Sequence, residues 1–398
     1  MKKALVVFLA LALVAGVFAD EPIAEASVAT FGGNASVTWG VDLDAGTTGF
    51  KNAASADLKV TLVKSGDKAT AGEGVWGEIK IKTDGLQINN AVIEKGTASV
   101  DVAKLHLGPV YIGIKEGDTQ VGGYAAPRAL DYDEHNIAEV AAVGTSKTDG
   151  IVIGYSAGDI FSIDVDFRST EQYTNDYGVA AEITSKPISG LEVKAGYSVA
   201  FTGMGMGLGA KVEYNMPIGD AGMYIKPGLG YTNSLAGGAG NLAVGVLFGF
   251  SDETGKDNPG LPLFDDANCK KSNAGVSVAT LLDLSNTGTI PLYFDVWTGS
   301  KIVPNLGAAA FFRTPALSAI GTNFSAGAGV KYAISVAPAT ITPQVGFILD
   351  NTTSMKLKGG VVVGGAVPNT EFSLWYASGN LTGTPVLGTI DLTCKISL

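Results

Sequence analysis

The last ten residues, Thr389 to Leu398, alternate without a break. Ile390, Leu392, Cys394, Ile396 and Leu398 are apolar, while Thr389, Asp391, Thr393, Lys395 and Ser397 are polar. A strand sends successive side chains to opposite faces, so this segment has one apolar and one polar face. About ten residues is also the length of one β-strand crossing a bilayer at a tilt. The same period of two returns along most of the chain. Val37, Trp39, Val41 and Leu43 oppose Ser36, Thr38, Gly40 and Asp42; Leu58, Val60 and Leu62 oppose Asp57, Lys59 and Thr61. Phe161, Ile163, Val165 and Phe167 oppose Ser162, Asp164, Asp166 and Arg168. Leu191 to Val199, Leu208 to Tyr214, Leu242 to Phe250 and Phe324 to Val336 repeat the pattern.

Composition narrows where such strands fold. Only 16% of residues are charged, against about a quarter in soluble domains, and 46% are hydrophobic. Residues 1–19 read as a secretory signal peptide: Lys2 and Lys3, an apolar run from Ala4 to Val17, then the small-residue site Val17-Phe18-Ala19 before Asp20. Beyond it no uninterrupted apolar run reaches the roughly 18 residues of a transmembrane helix. A barrel reconciles an apolar chain with the lack of such a run, because it spreads its apolar surface over alternate positions of many strands. The expected location is the outer membrane, with its lipid as a partner. A net charge of −11 argues against nucleic-acid binding, which needs basic patches.

Turn signals punctuate the runs at Gly108-Pro109, Ala157-Gly158-Asp159, Ser189-Gly190, Gly219-Asp220, Pro338, Asp350-Asn351, Pro368-Asn369 and Thr384-Pro385. They imply about 18–20 strands over residues 20–398. The fold expected is all-β: a transmembrane antiparallel up-and-down β-barrel, wide enough to leave an aqueous channel. The 54 glycines fit lumen-side positions that leave space. Pro227 and Pro343 sit awkwardly inside strand segments, since each removes a ladder donor. Two stretches break the alternation. Residues 117–147, with Ala125 to Leu130 and His135 to Val140, form a helix-like or irregular inserted loop, either external or folded into the lumen. Residues 251–273, with Asp252, Glu253, Asp257, Asp265 and Asp266, read as a long exposed acidic loop.

Catalytic motifs are weak. Gly154-Tyr155-Ser156-Ala157-Gly158 matches a nucleophile elbow, but a strand rather than a helix follows, and His106 and His135 both precede it. Gly205, Gly207 and Ala210 match a dinucleotide fingerprint inside a strand, where no helix can start. Two histidines without a nearby cysteine make no metal cluster. The chain therefore reads as a non-enzyme without cofactor or metal. Asp164, Asp166, Arg168, Glu192, Lys194, Lys211, Glu213, Asp391 and Lys395 lie on polar strand faces and are the pore-lining candidates. Charges of both signs imply weak ion selectivity. The expected function is a porin for small hydrophilic solutes. The alternative is a surface adhesin or sheath protein that uses the two long loops, with the barrel as its anchor.

Several segments carry a family resemblance: Trp39-Gly40-Val41-Asp42-Leu43-Asp44, Gly49-Phe50-Lys51-Asn52, Ala103-Lys104-Leu105-His106-Leu107-Gly108-Pro109 and Tyr111-Ile112-Gly113-Ile114. Together with the Gly/Ala-rich alternating strands, they resemble the treponemal major outer sheath proteins and the related Treponema pallidum repeat proteins. The resemblance implies an abundant spirochaete surface protein with porin activity, a homo-oligomer (a trimer), and adhesion to host extracellular-matrix proteins in some members. It also implies division into N- and C-terminal regions, whereas the equally clean alternation in both halves favours one barrel using both. Leu398 departs from the aromatic residue usual at the end of outer-membrane barrels.

Overall fold

The computed structural model describes residues 28–63, 75–89, 92–115, 121, 124–126, 139–140, 149–169, 175–202, 205–220, 222–235, 240–250, 261–262, 274–286, 288–299, 302–350, 353–383 and 387–397. The leader expected at 1–19 lies outside them. The strands are β1 (Val28–Asp42), β2 (Thr47–Val63), β3 (Val75–Asn89), β4 (Val92–Leu107), β5 (Val110–Lys115), β6 (Tyr124–Ala125), β7 (Glu139–Val140) and β8 (Asp149–Ala157). They continue with β9 (Phe161–Ser169), β10 (Tyr177–Ser185), β11 (Leu191–Ala200), β12 (Gly205–Tyr214), β13 (Met216–Ile218), β14 (Met223–Ser234), β15 (Asn241–Phe250) and β16 (Ala274–Asp283). The last are β17 (Leu292–Thr298), β18 (Leu306–Thr314), β19 (Ser325–Tyr332), β20 (Ile334–Val336), β21 (Ala339–Asp350), β22 (Ser354–Gly364), β23 (Thr370–Ala377) and β24 (Thr389–Ser397). Among the described residues no helix is long and apolar enough to cross a membrane.

Every wall strand pairs antiparallel with the next in sequence. β24 then returns to β1, with Trp39 opposite Leu392 and Val37 opposite Cys394. The ring is closed. Of the 24 strands, β6 and β7 pair only with each other, while β12/β13 and β19/β20 are each one wall strand in two pieces, so the wall has 20 positions. Closure leaves no edge, which hydrocarbon requires because no water is there to pair a free backbone amide. Strands from both halves of the chain share this one wall.

The alternation sorts the side chains as expected. On β15, Val244, Val246, Phe248 and Phe250 are exposed on the outer face, while Ala243 and Leu247 are buried on the inner one. On the closing strands, Leu392, Ile396, Val37 and Trp39 are exposed outward. Cys394 shares that face and forms no disulfide.

The two awkward prolines have one explanation. Pro227 pairs with Val246 on one side, but on its other side the partner wall strand breaks at Asn215, between β12 and β13. Pro343 pairs with Val361 and faces the break at Ala333, between β19 and β20. The amides at the breaks turn to the neighbour beyond: Asn215 donates to Gly190 O at 2.8 Å and Ala333 to Asn305 O at 2.8 Å. The lost donor is thus absorbed by interrupting the partner, and the proline strand stays whole.

Antiparallel order also fixes which end each connection occupies. The turns at Gly108-Pro109, Gly158-Asp159 and Ser189-Gly190 share one mouth, here the turn end. The β15–β16 connection leaves from that end too, and the β5–β8 connection leaves from the opposite end. Both put described residues inside the barrel. Val121, Tyr124 and Ala126 from the first long connection are buried, as is Leu261 from the second. Tyr124, Ala126 and Leu261 form one apolar cluster with Tyr224, Ala243, Leu247, Ala279, Trp297, Ala309, Phe311 and Ile348 on the inner wall. Of the forms open to 117–147, the described residues take the one folded into the lumen: Val121, Tyr124 and Ala126 are buried there, and β6 pairs with β7. One expectation is corrected. The acidic loop is not wholly exposed, since Leu261 and Pro262, its two described residues, are buried in the lumen.

Candidate functional site: the lumen

The inner wall from β9 to β14 carries most of the charged candidates, one layer per dyad of residues. Register puts Glu192 directly opposite Glu213 and Lys194 opposite Lys211. Like charges face to face repel, so the side chains reach diagonally to the next layer. Lys211 Nζ lies 3.3 Å from Glu192 and 3.4 Å from Glu213. Lys226 Nζ lies 2.5 Å from Glu213, Lys194 Nζ 3.5 Å from Glu182, and Lys186 Nζ 3.7 Å from Glu192. The result is a stack of layers of alternating sign joined by ion pairs. A cavity of about 460 Å³ at the turn end is lined by Lys186, Glu192, Glu213 and Lys226 from this stack.

Two tyrosines cap its acidic members. Tyr111 on β5 donates to Asp164 Oδ1 at 2.5 Å, and Tyr124 on the inward loop donates to Glu182 Oε2 at 2.5 Å. Asp166 and Arg168, by contrast, are 1% and 7% exposed and pair with each other, Nε to Oδ2, at 3.2 Å. They are buried rather than bathed in water, unlike the half-buried Glu192, Lys194, Lys211 and Glu213. Asp391 and Lys395 stand elsewhere, on β24. Asp391 lies over Gly40 and opposite Trp375, and Lys395 is exposed opposite Ser36 and Glu371.

Sequence reasoning missed a second group, the inward aromatics. Tyr111, Tyr224, Trp297, Phe311 and Trp375 each stand directly opposite a glycine: Gly154, Gly249, Gly275, Gly327 and Gly360. A Cβ at any of these glycines would lie within 2.6 Å of a ring atom. The rings therefore lie flat across glycines of the adjacent strand. The inward loops use the same device. Val121 sits against Gly196, Tyr124 against Gly230, and Pro262 against Gly346. The only signal in the sequence was the glycine count, because pairing a ring with its glycine requires the register. Asp295 and Arg313 were missed for a related reason: they lie among apolar residues whose inward or outward facing the short segments leave open. Arg313 pairs with Asp295, and Ser277 Oγ donates to Asp295 Oδ2 at 2.9 Å.

The two rejected motifs lie where the strand reading puts them. Ser156 Oγ donates to Gly158 O at 3.0 Å in the β8–β9 turn. Gly205 to Ala210 is the first part of β12.

No family model matches the chain. Over 185 residues it is 40% identical to the major surface protein MspTL of Treponema lecithinolyticum, covering 42% of this chain and 31% of that one. Over 199 residues it is 41% identical to the major outer membrane protein MspA of Treponema maltophilum, covering 44% and 34%. The chain thus spans about a third of the length of these curated relatives. Among solved structures it resembles Acinetobacter baumannii OccAB1 (8% identity, TM-score 0.42, covering 96% and 98%) and Pseudomonas aeruginosa OpdQ (11%, 0.41, covering 94% and 98%). It also resembles a mutant of the Rh. blastica porin (11%, 0.37, covering 93% and 100%). These likenesses are coarse; the barrel itself rests on the strand pairings.

Proposed function

We propose that this outer-membrane barrel, similar in sequence to treponemal major surface proteins, is a porin that passes small hydrophilic solutes. The observation that carries the proposal is the closed ring of 20 wall positions with half-buried charged side chains on its inner face. A ring of that size is too wide for wall side chains alone to fill, and an aqueous lumen is its usual content. Charged residues inside a membrane span mark a water-lined path when they face away from lipid. The inner face carries charges of both signs, with Lys186, Lys194, Lys211 and Lys226 against Asp164, Glu182, Glu192 and Glu213 around β9 to β14, and Lys51, Lys358 and Lys395 with Glu371 and Asp391 beside the closing seam, which supports weak ion selectivity. The adhesin reading drew on the two long loops, and both send buried side chains into the lumen; this favours a role for them in shaping the channel. Reconstitution of heat-modifiable folded protein into planar bilayers should give discrete conductance steps with a cation-to-anion permeability ratio near one. Folded protein that inserts without any conductance would overturn the proposal.

A further inference from the structure

We infer that water and solute cross this barrel along one sector of its inner wall, formed by β22, β23, β24, β1 and the first half of β2, and that the inward loops seal the β14–β21 side. The inference rests on the porin reading and goes beyond it by locating the path. It also reassigns the pore wall: Asp391 and Lys395 line the path, while Asp166 and Arg168 do not.

The first observation is how burial is distributed among inward-facing side chains. From β14 to β21 the inner wall is dry at mid-height. Ala243, Leu247, Ser277, Ala279, Asp295, Trp297, Ala309, Phe311, Ser325 and Ile348 are all buried, although nothing but lumen lies on that side of a barrel wall. From β9 to β12 the half nearer the opposite end is dry as well, with Asp166, Arg168, Ala180 and Ser198 buried. On β22, β23, β24, β1 and β2, among the described inward residues, Ser373 at 9% exposure is the one buried side chain. Lys51, Glu371 and Lys395 are exposed there, and Ser36, Thr38, Lys358, Asp391 and Thr393 are partly so.

The second observation says what covers the dry sector. Residues 121 and 124–126 enter from one mouth and 261–262 from the other, and Tyr124, Ala126 and Leu261 meet in a single apolar cluster on the β14–β21 wall. Their seats are built in. Val121, Tyr124 and Pro262 each occupy a place where the wall residue is glycine, and a side chain there would collide with them. The Tyr124 hydroxyl bond to Glu182 ties the first loop to the charged stack beside it. Among the described residues no loop side chain is seated on the glycines of the open sector: Gly32, Gly49 and Gly364 have none of them within 4 Å of a built Cβ, and Gly40 and Gly360 meet only wall residues. Apolar burial of this kind stabilises each large side chain by about 1.5–3 kcal/mol. The cover is therefore a fixed part of the fold, and the path is the remainder.

The test is thiol accessibility in the full chain, in a background with Cys269 and Cys394 changed to serine. Thr38→Cys and Lys395→Cys report the open sector; Ala309→Cys and Ser198→Cys report the covered one. Each variant is checked for heat-modifiable mobility and for thiol reactivity after denaturation, then recorded in bilayers before and after a charged methanethiosulfonate reagent. The result expected is a conductance drop of about two-fold or more on modifying Thr38→Cys or Lys395→Cys, because an added group narrows a path it lines. Ala309→Cys and Ser198→Cys should leave conductance unchanged and react only after denaturation. If the covered positions react in the folded protein and block as well, or if modified open-sector thiols leave the current unaltered, the path assignment is wrong. If the cysteine-free parent folds but does not conduct, the porin reading fails instead. Should one covered variant fail to fold, the other decides.

Discussion

Replacing Arg313 by methionine should be among the most damaging single changes on the inner wall, and its cost is bounded by what the guanidinium touches. Arg313 is 4% exposed and Asp295 1% exposed. The guanidinium pairs with Asp295 and donates through Nη1 to Phe294 O at 2.9 Å and Phe312 O at 3.2 Å. It also lies 5.1 Å from the Phe311 ring centroid and 5.5 Å from that of Tyr293. Methionine keeps most of the volume but leaves the Asp295 carboxylate buried without its ion-pair partner. Breaking a buried pair from one side costs about 3–5 kcal/mol. At about 1.4 kcal/mol per tenfold, the folded-to-unfolded ratio should fall by roughly 10² to 4 × 10³. The companion is Asp295→Leu with Arg313→Met, which removes both charges. Replacing a whole buried pair by apolar residues is often close to neutral, and Ser277 then loses an acceptor worth about 1 kcal/mol. The double variant should therefore be at least about 2 kcal/mol more stable than the single one, a coupling well above the usual error of such cycles. Guanidinium unfolding in detergent, followed by heat-modifiable mobility and by tryptophan emission, with Trp297 one of the reporters in the same cluster, measures both. A single variant costing less than about 1 kcal/mol, or a double variant as unstable as the single, would refute the description of this pair as a desolvated unit.

The remaining predictions concern the wall. Gly249→Val should prevent assembly, because its Cβ would fall 2.2–2.5 Å from atoms of the Tyr224 ring. Gly359→Ala on the outer face, with 3.6 Å to its nearest neighbour, should stay within about 0.5 kcal/mol of the parent; recovery of heat-modifiable protein compares the two. Val37→Cys in a Cys269→Ser background should crosslink to Cys394 on oxidation, since directly opposed residues have Cα atoms about 4.5–5.5 Å apart, within disulfide reach. Trp39→Cys, one dyad along, should not crosslink, and the mobility of denatured, non-reduced protein distinguishes the outcomes; the reverse pattern would mean a different closing register. In bilayers, the mixed charges of the open sector, Lys51, Lys358 and Lys395 with Glu371 and Asp391, should give a permeability ratio near one, and strong selectivity for either sign would contradict that mixture.

Much of this architecture was legible in the chain. The alternation in 389–398 and around Trp39 marks two amphipathic strands, and they are neighbours across the closing seam. The turns at Gly108-Pro109, Gly158 and Gly190 are marked by glycines that adopt positive φ. These features are legible because they are local: a period of two, a run of about ten residues and a turn residue need only adjacent positions to be read. The polar face of β9 was equally visible, and Asp164, Asp166 and Arg168 do share the inner side.

What that face meets is another matter. Nothing adjacent to Asp166 in the chain says that it is buried while Lys395 is exposed. That difference arises because 121, 124–126 and 261–262, remote in sequence and entering from opposite mouths, fill one side of the lumen. Nor does the chain say which glycine serves which ring. Tyr224 and Gly249 are paired by register, and the inner wall accepts the ring only because its neighbour across the strand lacks a side chain. Even the prolines needed the fold, since Pro227 and Pro343 are tolerated through breaks at Asn215 and Ala333 in their partners. Local alternation is enough to specify a β-chain with one apolar face, cut into lengths that cross a bilayer. How that chain closes and which part of the lumen it fills emerge from the fold, because both depend on pairings between residues far apart in the chain.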